Sequence, residues 1–371
     1  MVNDKKKYRF LIGFVIVIVY FFVAARPIPV ETVLTPQWLT SLESGYPLYF
    51  EDGNGVSGRN APEPAADGGQ LFPFTLGDRF GYFNRNGGFA LNQKARGNVS
   101  VSENYWAEYA AIPQNVEIRD PLNEILAEVA EPQGYPLFID NRFFLISEEQ
   151  NSLTALDNEG NPLWTYDFAA PLTGIDAAAG LILAGSLDGT VELLDQSGSR
   201  VFSSEIAGSR YSAIYGCRIS QDGLRLAIIS GFDDQRFLLL ERFGDSYKVA
   251  YHEFLADGFR RPVYISFIDH DRWVAFESEG CLALYNIGAR NSIKLPLEGN
   301  VVALDSSGMD DRLFAVTSQS ERKKQLVEIR LPRDVIMQAP FSSENVFLSR
   351  QGEHLYVGGG STIASFALSR K

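Results

Sequence analysis

The sequence predicts an all-β protein, an eight-bladed β-propeller with seven blades as the alternative count, behind an N-terminal transmembrane or signal helix. Three observations predict it: one charge-free apolar run near the start, a hairpin that recurs down the chain, and a second strand pair ahead of most hairpins. A length of 371 residues exceeds one ordinary compact domain, so the chain is either two domains or one large repetitive one.

Composition narrows the classes. With 45% hydrophobic, 12% aromatic and 21% charged residues the chain can bury a core, which excludes global disorder. A single long apolar run excludes a polytopic membrane protein. Formal charge is −13; setting aside Asp4 and the basic Lys5, Lys6, Lys7 and Arg9 leaves 29 basic against 45 acidic residues, or −16 for the remainder. Such a body repels nucleic acid and anionic surfaces, so no nucleic-acid partner is expected.

Residues 1–9 form a basic start, and 10–25 (FLIGFVIVIVYFFVAA) carry no charge. At roughly 1.5 Å per residue this run falls a little short of a ~30 Å hydrocarbon core, a gap that Tyr8 and Arg9 close by reaching the headgroups. Cleavage after Ala25, with Val23 at the −3 position, competes with retention as an anchor. Arg26 and Pro27 follow at once and the run is long for a cleaved signal, so retention is favoured. The absence of a following Cys excludes a lipidated anchor. Basic residues stay in the cytoplasm, which predicts a single-pass protein of the inner membrane whose C-terminal part faces the periplasm or the outside. Residues 26–34 then read as a linker and 35–371 as the propeller.

The hairpin is clearest at 115–129 (NVEIRDPLNEILAEV), 152–168 (SLTALDNEGNPLWTYDF) and 190–206 (TVELLDQSGSRVFSSEI). Each is an alternating strand ending in Asp (Asp120, Asp157, Asp195), a polar turn, and a second strand. Gly160 and Gly198 are able to take positive φ in two of these turns. Copies at 79–91, 236–251, 280–295, 325–337 and from 362 extend the series. Taking Asn84, Asp120, Asp157, Asp195, Glu241, Asn286, Leu331 and Ala367 as equivalent gives spacings of 36, 37, 38, 46, 45, 45 and 36. Periods near 40 with four short strands per unit indicate propeller blades.

Strand pairs at 137–146, 174–186, 217–230, 266–278, 303–318 and 347–359 supply the other half of the blades. GYPL occurs at 45–48 and at 134–137; the second opens a blade, so GYPLYFE is read as the inner strand of blade one. Residues 52–70, rich in Gly, Pro and Asp, are read as a flexible insertion in that blade. The last repeat lacks an outer strand, and Leu34 to Ser44 is the natural strand to cover its edge.

ALDNEGNPLW, from Ala155 to Trp164, resembles the repeat of the quinoprotein-like propellers; LILAGSLDGTVELLD (181–195) resembles the preceding strand pair of that family, and DGLRLAIIS (222–230) is similar to WD40-type repeats. The resemblance spans about 98–371 at repeat level. That superfamily includes quinone-dependent alcohol dehydrogenases and non-catalytic envelope scaffolds such as the propeller lipoprotein of the outer-membrane barrel assembly machine. The dehydrogenases carry an adjacent Cys pair over the quinone, whereas Cys217 and Cys281 lie 64 residues apart here. The resemblance therefore implies a scaffold, and no site residue is carried over from either group.

Candidate chemistry is sparse. His252, His270 and His354 have no metal-ligand spacing, and a zinc site would need them to converge from three blades. The pairs Asp233/Asp234 and Asp310/Asp311 lack a calcium-loop pattern and read as solvated turns. ENYWAEY, with Tyr105, Trp106 and Tyr109, is either a peptide-binding platform or core aromatics. Arg236, Arg242, Arg260 and Arg261 concentrate basic charge in an acidic chain, as a recognition patch or as a mixed ion-pair surface. Cys217 and Cys281 fall on different strands of successive repeats and are expected to be free thiols.

No catalytic, cofactor-binding or metal residue is assigned. The expected function is a membrane-anchored, extracytoplasmic, non-catalytic scaffold that binds an envelope protein or peptide and needs no cofactor. The alternative is an enzyme or small-ligand binder using the central channel. A channel-facing cluster of three or more carboxylates or histidines would favour the enzyme, an apolar patch on one rim the scaffold.

Overall fold

Alternating apolar side chains must reach two partners at once when a sheet is covered on both faces, and that is the arrangement the chain adopts. A computed structural model describes residues 32–51, 55–57, 69–206, 210–255, 258–305, 307 and 311–370. The expected N-terminal helix and most of 52–70 lie outside the described residues. Among the described residues there is no helix, and the strands form eight antiparallel sheets. Blade one occupies 71–94, blade two 98–130, blade three 135–167, blade four 172–205, blade five 214–254, blade six 265–296 and blade seven 300–342. Blade eight comprises 346–370 together with the N-terminal strand Thr32–Ser41.

Eight buried apolar clusters hold the ring together, one between each adjacent pair of blades. Blade four shows how: Ile182, Ala184 and Leu194 pack against Phe144, Leu153 and Ala155 of blade three. Leu183, Val191 and Leu193, the alternate positions, pack against Ile214, Cys217 and Ile228 of blade five. The period of two in the sequence thus divides each sheet between its neighbours. Blades eight and one share the cluster of Trp38, Leu42, Tyr356 and Ile363 with Phe72, Phe74, Leu76 and Phe83, which closes the circle.

The repeated Asp acts in the lower turns, those between third and fourth strands. Asp157 Oδ1 accepts from the backbone N–H of Glu159 (2.9 Å) and Asn161 (2.8 Å). Asp195 Oδ1 accepts in the same way from Ser197 and Ser199, and Asp120 Oδ1 from Leu122 and Glu124. Asn84 does so for Asn86 and Gly88. The side chain caps its own turn, and the residue three places on takes positive φ: Gly160 (92°), Gly198 (79°), Gly87 (82°) and, in blade two, Asn123 (74°).

The repeat's Trp acts between blades. Trp164 Nε1 donates to Gln196 O at 3.0 Å, and its ring lies where a Cβ on Gly198 would come within 2.5 Å. Trp38 Nε1 donates to Arg85 O at 2.9 Å over Gly87 in the same manner. Where a Trp stands on the fourth strand, in blades three and eight, it packs on the capped turn of the next blade.

Closure follows the expected pairing. Thr32–Ser41 runs antiparallel to Thr362–Arg370, with Leu34 opposite Leu368 and Ser41 opposite Thr362. This closing strand takes in Thr32 and Val33, which the sequence assigns to the linker. The reading of GYPLYFE is corrected: Pro47–Glu51 pairs with the closing strand and Gly55–Ser57 pairs with it in turn, extending blade eight outward to six strands. Blade one has three strands, Leu71–Leu76, Arg79–Asn84 and Phe89–Lys94, rather than four. Its Leu76–Arg79 turn meets the 342–345 connector, on the face that carries second-to-third-strand turns elsewhere. Leu71–Leu76 therefore runs in the sense of a second strand, and blade one has no innermost strand among the described residues. GYPL misleads because Gly134 precedes an inner strand whereas Gly45 (φ 73°) turns the chain back along the outer edge.

Candidate functional site

Antiparallel succession puts the links between blades and the turns between second and third strands on one face, here called upper. First-to-second and third-to-fourth turns lie on the lower face. Both faces and the channel were candidate sites.

Innermost strands line the channel, and blades two to eight bring to it only four charged side chains among the described residues: Asp176, Arg218, Asp305 and Arg350. Each is used in the fold. Asp176 accepts from the N–H of Ile219 in the next blade at 2.9 Å. Asp305 accepts from the N–H of Arg350, also in the next blade, and from Ser307 Oγ at 2.7 Å. Burial raises both carboxyls above the ordinary carboxylate range. Arg218 donates to Cys217 O at 2.8 Å, and Arg350 to Gly352 O at 3.0 Å. The two carboxylates and a further bond from Arg350 to Arg312 O join neighbouring blades, the Arg218 bond is local, and among the described residues the four form no converging acid–base set.

The histidines are dispersed. His252 lies on the outer strand Ser246–Phe254, His270 in a lower turn of blade six (φ 53°), and His354 at the lower turn of blade eight. Among the described residues no three His, Cys, Asp or Glu side chains are grouped as a metal would require. Of the acidic pairs, Asp233 and Asp234 are exposed, Asp311 sits 3.6 Å from Arg312, and Asp310 lies outside the described residues. Cys217 and Cys281 are free thiols, the first buried with its pKa pushed up to about 12 by desolvation.

ENYWAEY is packed inward rather than displayed. Trp106 is buried against Phe80 and donates to Asp120 O at 2.9 Å. Tyr105 meets Phe143 edge-on at 4.7 Å, and Tyr109 meets Tyr135 at 5.7 Å.

The four arginines separate. Arg236 and Arg242 stand toward opposite ends of the Arg236–Phe243 strand, and Arg242 caps Gly244 O at 3.1 Å on the lower face. Arg261 makes a two-pronged pair with the buried Glu277 at 2.7 and 2.9 Å, while Glu277 also takes the N–H of Val301 in blade seven. Arg260 alone joins an exposed assembly, on the upper face.

That assembly is a row of four side chains from two links and the turn between them: Arg210 and Tyr211 lie in the link from blade four to blade five, Phe232 in the second-to-third-strand turn of blade five, and Arg260 in the link from blade five to blade six. Arg260 Cζ lies 3.4 Å over the Phe232 ring, and its Nη1 donates to Phe232 O at 2.7 Å. Phe232 meets Tyr211 edge-on at 6.2 Å and 83°, and Arg210 Cζ stands 5.4 Å over Tyr211. Tyr211 is 56% exposed and Phe232 36%. The backbone beneath is tied down: Phe232 N donates to Tyr211 O and Gly231 N to Ala213 O. Buried Gln235 holds Phe259 N at 3.0 Å and Gly231 O at 3.3 Å. Among the described residues no carboxylate lies within ion-pair reach of Arg210 or Arg260. Ile112 and Leu187 are further exposed apolar side chains of this face. Next to Ile112 opens a depression of about 380 Å³ edged by Glu131, Glu148 and Glu149.

Of the row, the sequence pointed to Arg260 only. Arg210, Tyr211 and Phe232 were missed, because a link, a turn and a further link stand apart in the sequence and only the fold brings them together.

A family model described as beta-propeller protein matches residues 1–370. An uncharacterized protein of Treponema pallidum (strain Nichols) is 28% identical over 352 residues, which cover 95% of this chain and 91% of that protein. Among solved structures, BamB from Moraxella catarrhalis superposes with a TM-score of 0.56 at 13% identity, covering 90% of this chain and all of that one. A chain of the Mitotic Checkpoint Complex superposes with a TM-score of 0.51 at 12% identity, covering 74% and 88%. At such identities the two structures share the fold with this chain and no more. A family match spanning nearly every residue, on a ring already evident from its eight sheets, makes this chain a member of the beta-propeller protein family.

Proposed function

We propose that this chain is a membrane-anchored, extracytoplasmic propeller that serves as a non-catalytic scaffold, binding another envelope protein through its upper face. The observation that carries this reading is the Arg210–Tyr211–Phe232–Arg260 row, an exposed aromatic and cationic patch on a firmly bonded base. Aromatics and arginine dominate the energetic centres of protein interfaces, because they bury much area at little entropic cost. The channel supports the same reading from the other side, since the two carboxylates that the described inner strands bring to it are spent on joining blades.

Orientation adds to it. The closing strand starts at Thr32 on the lower side, because Thr32 faces Arg370 whereas Ser41 faces the upper turn at Thr362. Only residues 26–31 separate it from the apolar run, a reach of at most about 20 Å when extended. An anchor there holds the lower face near the bilayer and turns the upper face toward other proteins.

Site-specific photo-crosslinking of the full chain in its own membrane tests the proposal. Probes at Ile112, Leu187 and Tyr211 should give a discrete adduct with another protein, and probes at Leu122 and Phe243 of the lower face should not. Adducts absent from every upper-face position would refute it.

A further inference from the structure

We infer that the Arg210–Tyr211–Phe232–Arg260 row receives an acidic peptide segment of the partner, its carboxylates taken by the two guanidiniums. The inference rests on the scaffold reading and names the chemistry of that partner.

Charge is the first argument. The chain beyond its basic start carries −16, and many of its arginines are paired with acids, among them Arg261 with Glu277, Arg272 with Asp269, Arg322 with Glu344 and Arg330 with Asp334. Arg210 and Arg260 are exposed without such a partner among the described residues. Other exposed arginines also lack an acid among the described residues, but these two share one aromatic row, and two cations held together there call for an anion from outside.

Pre-organisation is the second. Stacking on Phe232 and the bond to Phe232 O fix the plane of the Arg260 guanidinium, and Tyr211 supports Arg210. Ordering a long side chain ordinarily opposes binding, and here much of that ordering is already done. With Nη1 of Arg260 engaged, its other N–H groups remain for a carboxylate, a charge-assisted bond of the stronger kind.

The third argument separates a peptide from a lipid headgroup. The row lies on the upper face, opposite the side where Thr32 joins the anchor segment, so it does not face the bilayer that holds the chain. Beyond roughly 8 Å the net negative field is largely screened at physiological salt, so a short acidic segment gains the local attraction without meeting the whole charge.

Fluorescence anisotropy of the full chain in detergent micelles tests this, using a labelled ten-residue peptide of alternating Glu and Gly, and its Gln and Gly counterpart as probes. The Glu peptide should bind and weaken with added salt, and the Gln peptide should not bind. Arg210→Ala and Arg260→Ala should each weaken binding about tenfold. Arg260→Lys should recover only part of the loss, since it keeps the charge without the planar fork. Arg322→Ala, on the same face, should change nothing. Thermal melts identify a variant that fails to fold, and Arg210, which makes no backbone bond among the described residues, supplies the alternative to Arg260.

Equal binding of the two peptides, or Glu-peptide binding indifferent to both arginines, would overturn the inference. So would arginine-dependent capture by phosphatidylglycerol vesicles without peptide binding, which would assign the row to lipid. If upper-face crosslinks persist unchanged in Arg210→Ala and Arg260→Ala, the acidic segment is wrong and the scaffold stands; if no crosslinks form even in the unaltered chain, the scaffold itself is wrong.

Discussion

Arg85 and His354 meet across the seam between the first blade and the last. Arg85 Nε donates to His354 Nε2 at 3.1 Å, and the imidazole stacks on Tyr356 with centroids 6.3 Å apart. Accepting from arginine requires a neutral ring. Burial, and then the charge of Arg85, hold the His354 pKa below its ordinary 6.5, with Glu353 acting the other way.

A pH dependence follows. Near and below pH 6.5 the unfolded chain takes up a proton at His354 that the folded chain resists, so stability falls as pH falls through that value. Thermal melts between pH 8 and pH 5 should show a drop in Tm that is smaller in His354→Gln. Parallel curves for the two proteins would exclude the seam as the source.

Gly198 offers a sharper test of how blades meet. Its φ of 79° and the 2.5 Å approach of Trp164 both oppose a side chain, whereas a Cβ on Gly244 (φ 64°) would meet nothing within 4 Å. Gly198→Ala should therefore cost more than about 1 kcal/mol, and Gly244→Ala distinctly less, in urea unfolding. Equal costs would mean that the close packing of Trp164 on the turn is not felt.

Removing the closing strand should be severe. A chain resumed at Gly45 loses the partner of Thr362–Arg370 and exposes that edge, so aggregation or a large fall in Tm is expected. Trp38→Ala is the milder version: it empties a site 3% exposed between Phe83 and Tyr356 and should cost about 3–5 kcal/mol. A truncated chain that melts like the intact one would refute this account of closure.

The cysteines should differ in reactivity. Cys217 is fully buried with its thiol pushed up to about 12, and Cys281 is half-buried with its thiol also raised by burial. A thiol reagent at pH 7.5 should label Cys281 first, and unfolding without reductant should expose both. Labelling of Cys217 at the same rate in the folded protein would contradict its placement between blades four and five.

What was legible in the sequence is what is local. Asp157 and Gly160 bond within five residues, so the turn, the repeat and the blade count could be read from spacing. The closing strand was also legible, because the last repeat visibly lacked one. GYPL was not, since a tetrapeptide does not record whether its strand pairs at the channel or at the outer edge. The candidate surface was mostly illegible for the same reason: Arg210, Phe232 and Arg260 become neighbours only when blades four, five and six are assembled.

The bond between Ser369 and Val33 joins residues 336 positions apart, and it has a bearing on how the protein is made. The strand that finishes blade eight precedes the other described strands in the sequence, and it must wait until Thr362–Arg370 has emerged. Until then the growing chain carries two open sheet edges, one at each end of an incomplete arc. Ring closure thus waits on the Thr362–Arg370 strand, and a chain stopped short of it keeps both edges open.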